Sequence, residues 1–132
     1  MNPFYPGVAA RALHRCEYCH APESVFNFPF EVDHIIPIFS SGQNEDANFA
    51  LACRSCNLHK WRETDGIDPT TNQAIRLFNP RSDFWNDHFQ FNRRTGILNG
   101  TTQIGRATIE QLRMNSTAQI AARKQWSKIG IF

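Results

Sequence analysis

The sequence predicts an α+β fold built around a four-cysteine metal site. Three observations carry that expectation. All four cysteines fall in two Cys-x-x-Cys pairs, Cys16/Cys19 and Cys53/Cys56. Between the pairs lies a strand-like run, Phe30-Glu31-Val32-Asp33-His34-Ile35, closed by Pro37. In the last third of the chain, Thr102 and Ser116 stand where N-caps would open two helices.

The bulk composition is that of an ordinary folded protein. The 132 residues fit one domain, and 41% hydrophobic with 20% charged content argues against both disorder and a membrane protein. No apolar run reaches the ~20 residues that span a bilayer. The first residues show no basic stretch followed by an apolar one, so no secretory signal is read and a reducing, cytoplasmic setting is expected.

Four cysteines could also form two disulfides. Cys-x-x-Cys places both sulfurs of a pair on one tight turn, where they converge on a shared point. In a reducing compartment this spacing reads as a tetrahedral structural zinc on Cys16, Cys19, Cys53 and Cys56, with Zn–S bonds of ~2.3 Å. All four positions would be protein sulfur, which leaves this ion no open site for catalysis.

Taken in order, residues 9–15 read as a short helix feeding the first pair. In the strand at 30–35, alternation puts Glu31 and Asp33 on one face and Val32 and His34 on the other. Residues 40–44 are polar and turn-prone. The apolar segment 49–52 enters the second pair, and a helix starting near Cys56 carries Asn57, Lys60 and Trp61. Residues 64–71 are rich in turn formers. Aromatic residues at 84–91 surround a strand, 92–96 form a turn, and Ile97-Leu98 return. Helices are expected over 105–115 and 117–127. The 11 phenylalanines and three tryptophans are expected in the core rather than as base-stacking platforms.

The order Cys16-x-x-Cys19, Glu31-x-Asp33-His34-Ile35-x-Pro37, Gly42, Asn48, Cys53-x-x-Cys56-Asn57-x-x-Lys60 closely resembles the HNH endonuclease family. The resemblance covers about residues 13–63. It implies a ββα-metal core stapled by the four-cysteine zinc, with an α/β extension over about 64–132 packed on it as one domain. Segments 78–89 and 102–126 resemble the extension of an uncharacterised bacterial branch. By position, His34 is implied as the general base, and an imidazole, with an ordinary pKa near ~6.5, suits that role at neutral pH. Asp33 is implied as a ligand of a catalytic Mg²⁺ or Mn²⁺, and Asn48 as the residue that ties the loop to the histidine strand. Asn57 stands where many members carry a last histidine, so the triad is His-Asn-Asn. An asparagine carbonyl ligates oxygen-loving cations but has no titratable role.

The implied activity is metal-dependent hydrolysis of phosphodiester bonds in DNA, with RNA open as a substrate. The alternative is a zinc-stapled nucleic-acid-binding or interaction module without catalysis. Charge distribution favours a polyanionic partner. The chain holds four basic and six acidic residues up to Trp61, and ten and six beyond it. Lys60, Arg93 and Arg94 are the expected phosphate contacts, within a tail that also carries Arg106, Arg113, Arg123, Lys124 and Lys128. Oligomeric state is not legible in the sequence.

Overall fold

The structure is a computed structural model and describes residues 2–132. Helices alternate with three small antiparallel hairpins around one buried cluster. Helix α1 spans Tyr5–Arg11, strand β1 Glu31–His34, strand β2 Phe49–Ala52 and helix α2 Arg54–Lys60. Strands β3 (Asp65–Ile67) and β4 (Ala74–Arg76) follow, then a single-turn helix α3 (Trp85–His88) running into β5 (Phe89–Phe91). Strand β6 is Leu98–Gly100, and helices α4 (Gln103–Gln111) and α5 (Thr117–Lys128) complete the chain. No helix among the described residues is long and apolar enough to cross a membrane.

The first helix ends earlier than the expected 9–15. Pro6 sets its first turn, and Leu13 and His14 both adopt φ of 55°, which an α-helix cannot continue through. The reversal turns the chain directly into the first cysteine pair. Strands β1 and β2 pair in the register Asp33 opposite Ala50 and His34 opposite Phe49. All four β2 residues are buried, so this strand forms the floor of the core. The expected alternation on β1 holds: Glu31 and Asp33 both face α2, where they meet Asn57 and Lys60.

Helices α4 and α5 begin as their caps predict. Thr102 Oγ1 accepts from the Gly105 amide at 3.0 Å, and Ser116 Oγ from the Gln119 amide at 3.4 Å. Strand β3 lies within the stretch 64–71 expected as turns, and its partner β4 just beyond it. The connection between the two is organised by Asp68, whose carboxylate accepts from the Thr70 amide and the Thr71 hydroxyl and receives both arms of Arg106 at 2.9 Å. Arg106 holds that carboxyl well down, at about 2. A depressed folded value means the pair stabilises the fold at every pH above the ordinary carboxylate range. That contribution is lost as pH falls toward about 2.

The later segment touches the first cysteine pair directly. Trp85 Nε1 donates to the Tyr18 carbonyl at 2.7 Å, Arg81 pairs with Glu17, and the Trp85 ring stacks on His20. Asp68→Asn and Arg106→Met should each lower the thermal midpoint at neutral pH. The double variant should lie near the worse single one, because both remove the same bond. Fully additive losses in melts of the three variants would assign the two residues separate roles.

Candidate metal centre and cleft

The four cysteines come together. Their sulfurs all lie within 4.8 Å of one another, all four residues are buried, and no disulfide joins them among the described residues. The Cys19 and Cys53 sulfurs are 3.7 Å apart. A tetrahedron with ~2.3 Å bonds has edges of about 3.8 Å, so the cluster fits a zinc ion. Each pair also turns a backbone amide onto its leading sulfur, Cys19 N to Cys16 at 3.5 Å and Cys56 N to Cys53 at 3.4 Å. Those amides favour thiolate over thiol. Hydrogen bonding with Cys16 pushes the Cys19 and Cys56 thiols up and Cys53 down, so without a cation the four sulfurs cannot all ionise together. A divalent cation removes that conflict.

Four thiolates around a dication leave a net charge of −2. Arg123, on α5 and fully buried, lies where that charge acts on it. Burial pulls its pKa down, and the charges of Cys19, Cys56 and Cys53 push it back up. Its guanidinium donates to the Gly96 carbonyl and Asn115 Oδ1 at 2.8 Å each, and Nη1 is buried without a partner. Arg123 is therefore an interior cation and not a surface one. Arg106 is likewise committed, to Asp68. The exposed part of the basic tail is Arg93, Arg94, Arg113, Lys124 and Lys128. Arg93 and Arg94 form the tip of the β5–β6 hairpin, where Asn92 Oδ1 accepts from the amides of Arg94 and Thr95.

Asp33 is only 4% exposed. Tyr18, inside the first Cys-x-x-Cys, donates its hydroxyl to Asp33 Oδ2 at 2.6 Å. Burial and the adjacent carboxylate both push the Tyr18 hydroxyl up, so it stays protonated and donates. From the other side comes Lys60, one turn beyond the second pair. Its ammonium lies 3.3 Å from Oδ1 and 3.1 Å from Oδ2, and donates to the carbonyls of His34 and Ile35. Lys60 was expected at a phosphate, yet it is 1% exposed and points inward. Burial pushes the Asp33 carboxyl up, opposed by Lys60 and Tyr18.

His34 stands on the opposite face of β1. Its Nε2 lies 2.7 Å from Asn44 Oδ1, and its ring meets Phe49 edge-on at 5.3 Å. An amide oxygen only accepts, so Nε2 carries the hydrogen and Nδ1 keeps the lone pair. The loop bearing Asn44 is held by Asn48. That side chain accepts from the Ile36 amide at 2.8 Å and donates to the carbonyls of Ile36 (2.8 Å) and Gln43 (3.0 Å). Gly42 is required in the same loop, since a Cβ there would lie 1.7 Å from the Ile36 carbonyl oxygen. Asn57 donates its amide to Glu31, which leaves Oδ1 as the acceptor end of the side chain. His59 turns away, with Nδ1 donating to the Ser55 carbonyl at 2.8 Å.

Asp33, His34 and Asn57 line one cleft with Val32, Pro37 and Trp61. A carboxylate offers about four lone-pair positions, and Tyr18 and Lys60 make three contacts with Asp33, so about one remains. Asp33 and Asn57 bring oxygen donors to that cleft, the donor type a hard cation such as Mg²⁺ takes. Tyr18 and Asn44 were missed in the sequence. Tyr18 sits in a variable position of Cys-x-x-Cys, and Asn44 in a stretch whose composition signals only a turn.

Residues 16–63 match the HNH endonuclease family. No curated protein and no solved structure matches the chain. The matched stretch runs from the first cysteine to three residues past Lys60 and contains every residue that lines the cleft. Nuclease-type chemistry on a nucleic acid is what that family suggests. Purified protein should carry one zinc per chain by elemental analysis. Cys53→Ala should be unfolded or insoluble, since structural zinc binding of ~10–16 kcal/mol rivals a domain's whole stability of ~5–15 kcal/mol. Folded, zinc-free protein would contradict the assignment.

Proposed function

We propose that the chain is a metal-dependent endonuclease that hydrolyses phosphodiester bonds, with DNA as the preferred substrate. One observation carries this reading: Asp33, His34 and Asn57 border a single cleft inside the stretch that matches the HNH endonuclease family. We read β1, β2 and α2 as a ββα-metal core, with residues 64–132 as an extension of the same domain.

His34 Nδ1 takes a proton from water. The resulting hydroxide attacks phosphorus as the bond to the 3′ oxygen breaks, leaving a 5′-phosphate, and the departing 3′ oxygen takes a proton from solvent water to become a 3′-hydroxyl. Asn44 holds the imidazole by its Nε2–H, so Nδ1 is the nitrogen that accepts. Asp33 and Asn57 are the oxygen ligands for Mg²⁺ or Mn²⁺, which when bound would offset charge developing on the phosphate and the leaving oxygen. Lys60 and Tyr18 keep the Asp33 carboxylate in place. Arg93 and Arg94 are the proposed backbone contacts, which position the substrate without reading its sequence.

A second reading, a binding module without catalysis, is favoured by the neutralisation of Asp33 by Lys60. Catalysis by His34 decides between them. His34→Ala should fold, keep zinc and bind DNA, yet cleave ~10²–10⁴-fold more slowly in the presence of Mg²⁺ or Mn²⁺, the usual worth of a general base. Equal rates for parent and variant, or none for either, would remove the proposed mechanism.

The hairpin tip gives an independent test. On duplex DNA each phosphate neutralised contributes about −0.9 to the slope of log affinity against log salt. Replacing Arg93 and Arg94 together should weaken DNA binding similarly on all sequences and flatten that slope by about 1 to 2. The chemical step at saturating DNA should be nearly unchanged. An unaltered salt dependence would make the tip a solvated turn.

A further inference from the structure

The rim of the cleft carries exposed aromatic rings that the fold does not need. Phe39 is 77% exposed and Trp61 62%. Both line the cleft of Asp33, His34 and Asn57, together with Arg62. The Arg62 guanidinium lies 4.7 Å from the Phe39 ring centroid and 4.4 Å from that of Trp61. Three stacked, solvent-facing planar groups therefore stand beside the groups proposed to cut.

Trp61 is also conformationally costly. It follows α2 with φ of 52° and ψ of −121°, a backbone state that bulky L-residues rarely adopt and that glycine takes readily. Burial does not offset the strain, because most of the ring is in water. A strained backbone carrying an exposed indole at a cleft points to use of the indole outside the fold.

We propose that Phe39, Arg62 and Trp61 form a stacking platform for unpaired nucleobases, so that the preferred substrate is single-stranded or locally unpaired nucleic acid. The proposal deepens the nuclease reading and rests on it for the choice of ligand. Aromatic faces and guanidinium planes stack on bases whatever their identity, and the guanidinium adds the positive charge a phosphate chain requires. A duplex hides its base faces except at its ends, so only an unpaired strand can use such a rim. Seated there, a base would place its flanking phosphate at the mouth holding His34.

The test uses full-length, zinc-loaded protein in a His34→Ala background, which binds without cutting. Fluorescence anisotropy compares a labelled mixed-sequence single strand with a blunt hairpin duplex of the same sequence. Trp61→Gly should raise the thermal midpoint by relieving the backbone, yet weaken single-strand binding about 10- to 100-fold, the usual worth of stacking one base. Duplex affinity should change by less than about twofold, and Phe39→Ala should show the same selectivity. The platform is overturned if Trp61→Gly binds the single strand like its parent, or loses both ligands equally. Cleavage assays on chains with His34 intact keep the two readings apart. Selective loss of single-strand binding with no cleavage by any chain supports the platform and removes the hydrolytic mechanism. Cleavage with unaltered binding by Trp61→Gly keeps the mechanism and removes the platform.

Discussion

Everything at the cleft depends on how one buried carboxylate is held. Asp33 receives one donor from each arm of the cysteine cluster: Tyr18 from within the first pair, and Lys60 from the helix that the second pair opens. Those arms are separated by more than thirty residues of chain, and the four sulfurs bring them together. A metal at the sulfurs would thus set the distance between Tyr18 and Lys60, and so the position of Asp33. Removing one partner of a buried ion pair leaves an uncompensated charge and costs ~3–5 kcal/mol. An ion at the sulfurs would be coupled to the cleft through these two side chains, although it would have no open position of its own.

The later segment contributes to the same centre. Arg123 is a buried cation whose charged form the cysteine charges favour, Trp85 bonds the Tyr18 carbonyl, and Arg81 pairs with Glu17. Glu17 in turn accepts from the Leu51 amide in β2 at 2.8 Å. Residues flanking Tyr18 are therefore clamped from two directions. A basic tail read from composition alone turns out to be divided: Arg106 pairs with the buried Asp68, Arg123 lies in the interior, and only the remainder faces solvent.

Much of this was legible because it rests on local chemistry. Two complete Cys-x-x-Cys pairs have few uses in a short chain, period-2 alternation sorted Asp33 from His34, and Thr102 and Ser116 capped as hydroxyl residues do. What was hidden depends on tertiary placement. Lysines are almost never fully buried unless paired, so the sequence places Lys60 at a phosphate on the surface, and only the fold brings Asp33 beside it. The hairpin at Asp65–Ile67 and Ala74–Arg76 has only three residues a side, too short for alternation to show. Trp61 carries no sequence signal of its positive φ. Exposure of Phe39 and Trp61 also runs against the expectation that the aromatic residues are core.

The coupling between scaffold and cleft is tested most directly by Tyr18→Phe. Zinc content and the single-turnover cleavage rate at saturating DNA are measured on the same preparation. The variant keeps the ring that packs in the core and removes only the bond to Asp33. The expected result is one zinc per chain, DNA affinity within about twofold of the parent, and a rate at least about tenfold lower, since a hydrogen bond to a charged group is worth ~1.5–3 kcal/mol. A zinc-loaded Tyr18→Phe chain that cleaves as fast as the parent would contradict it.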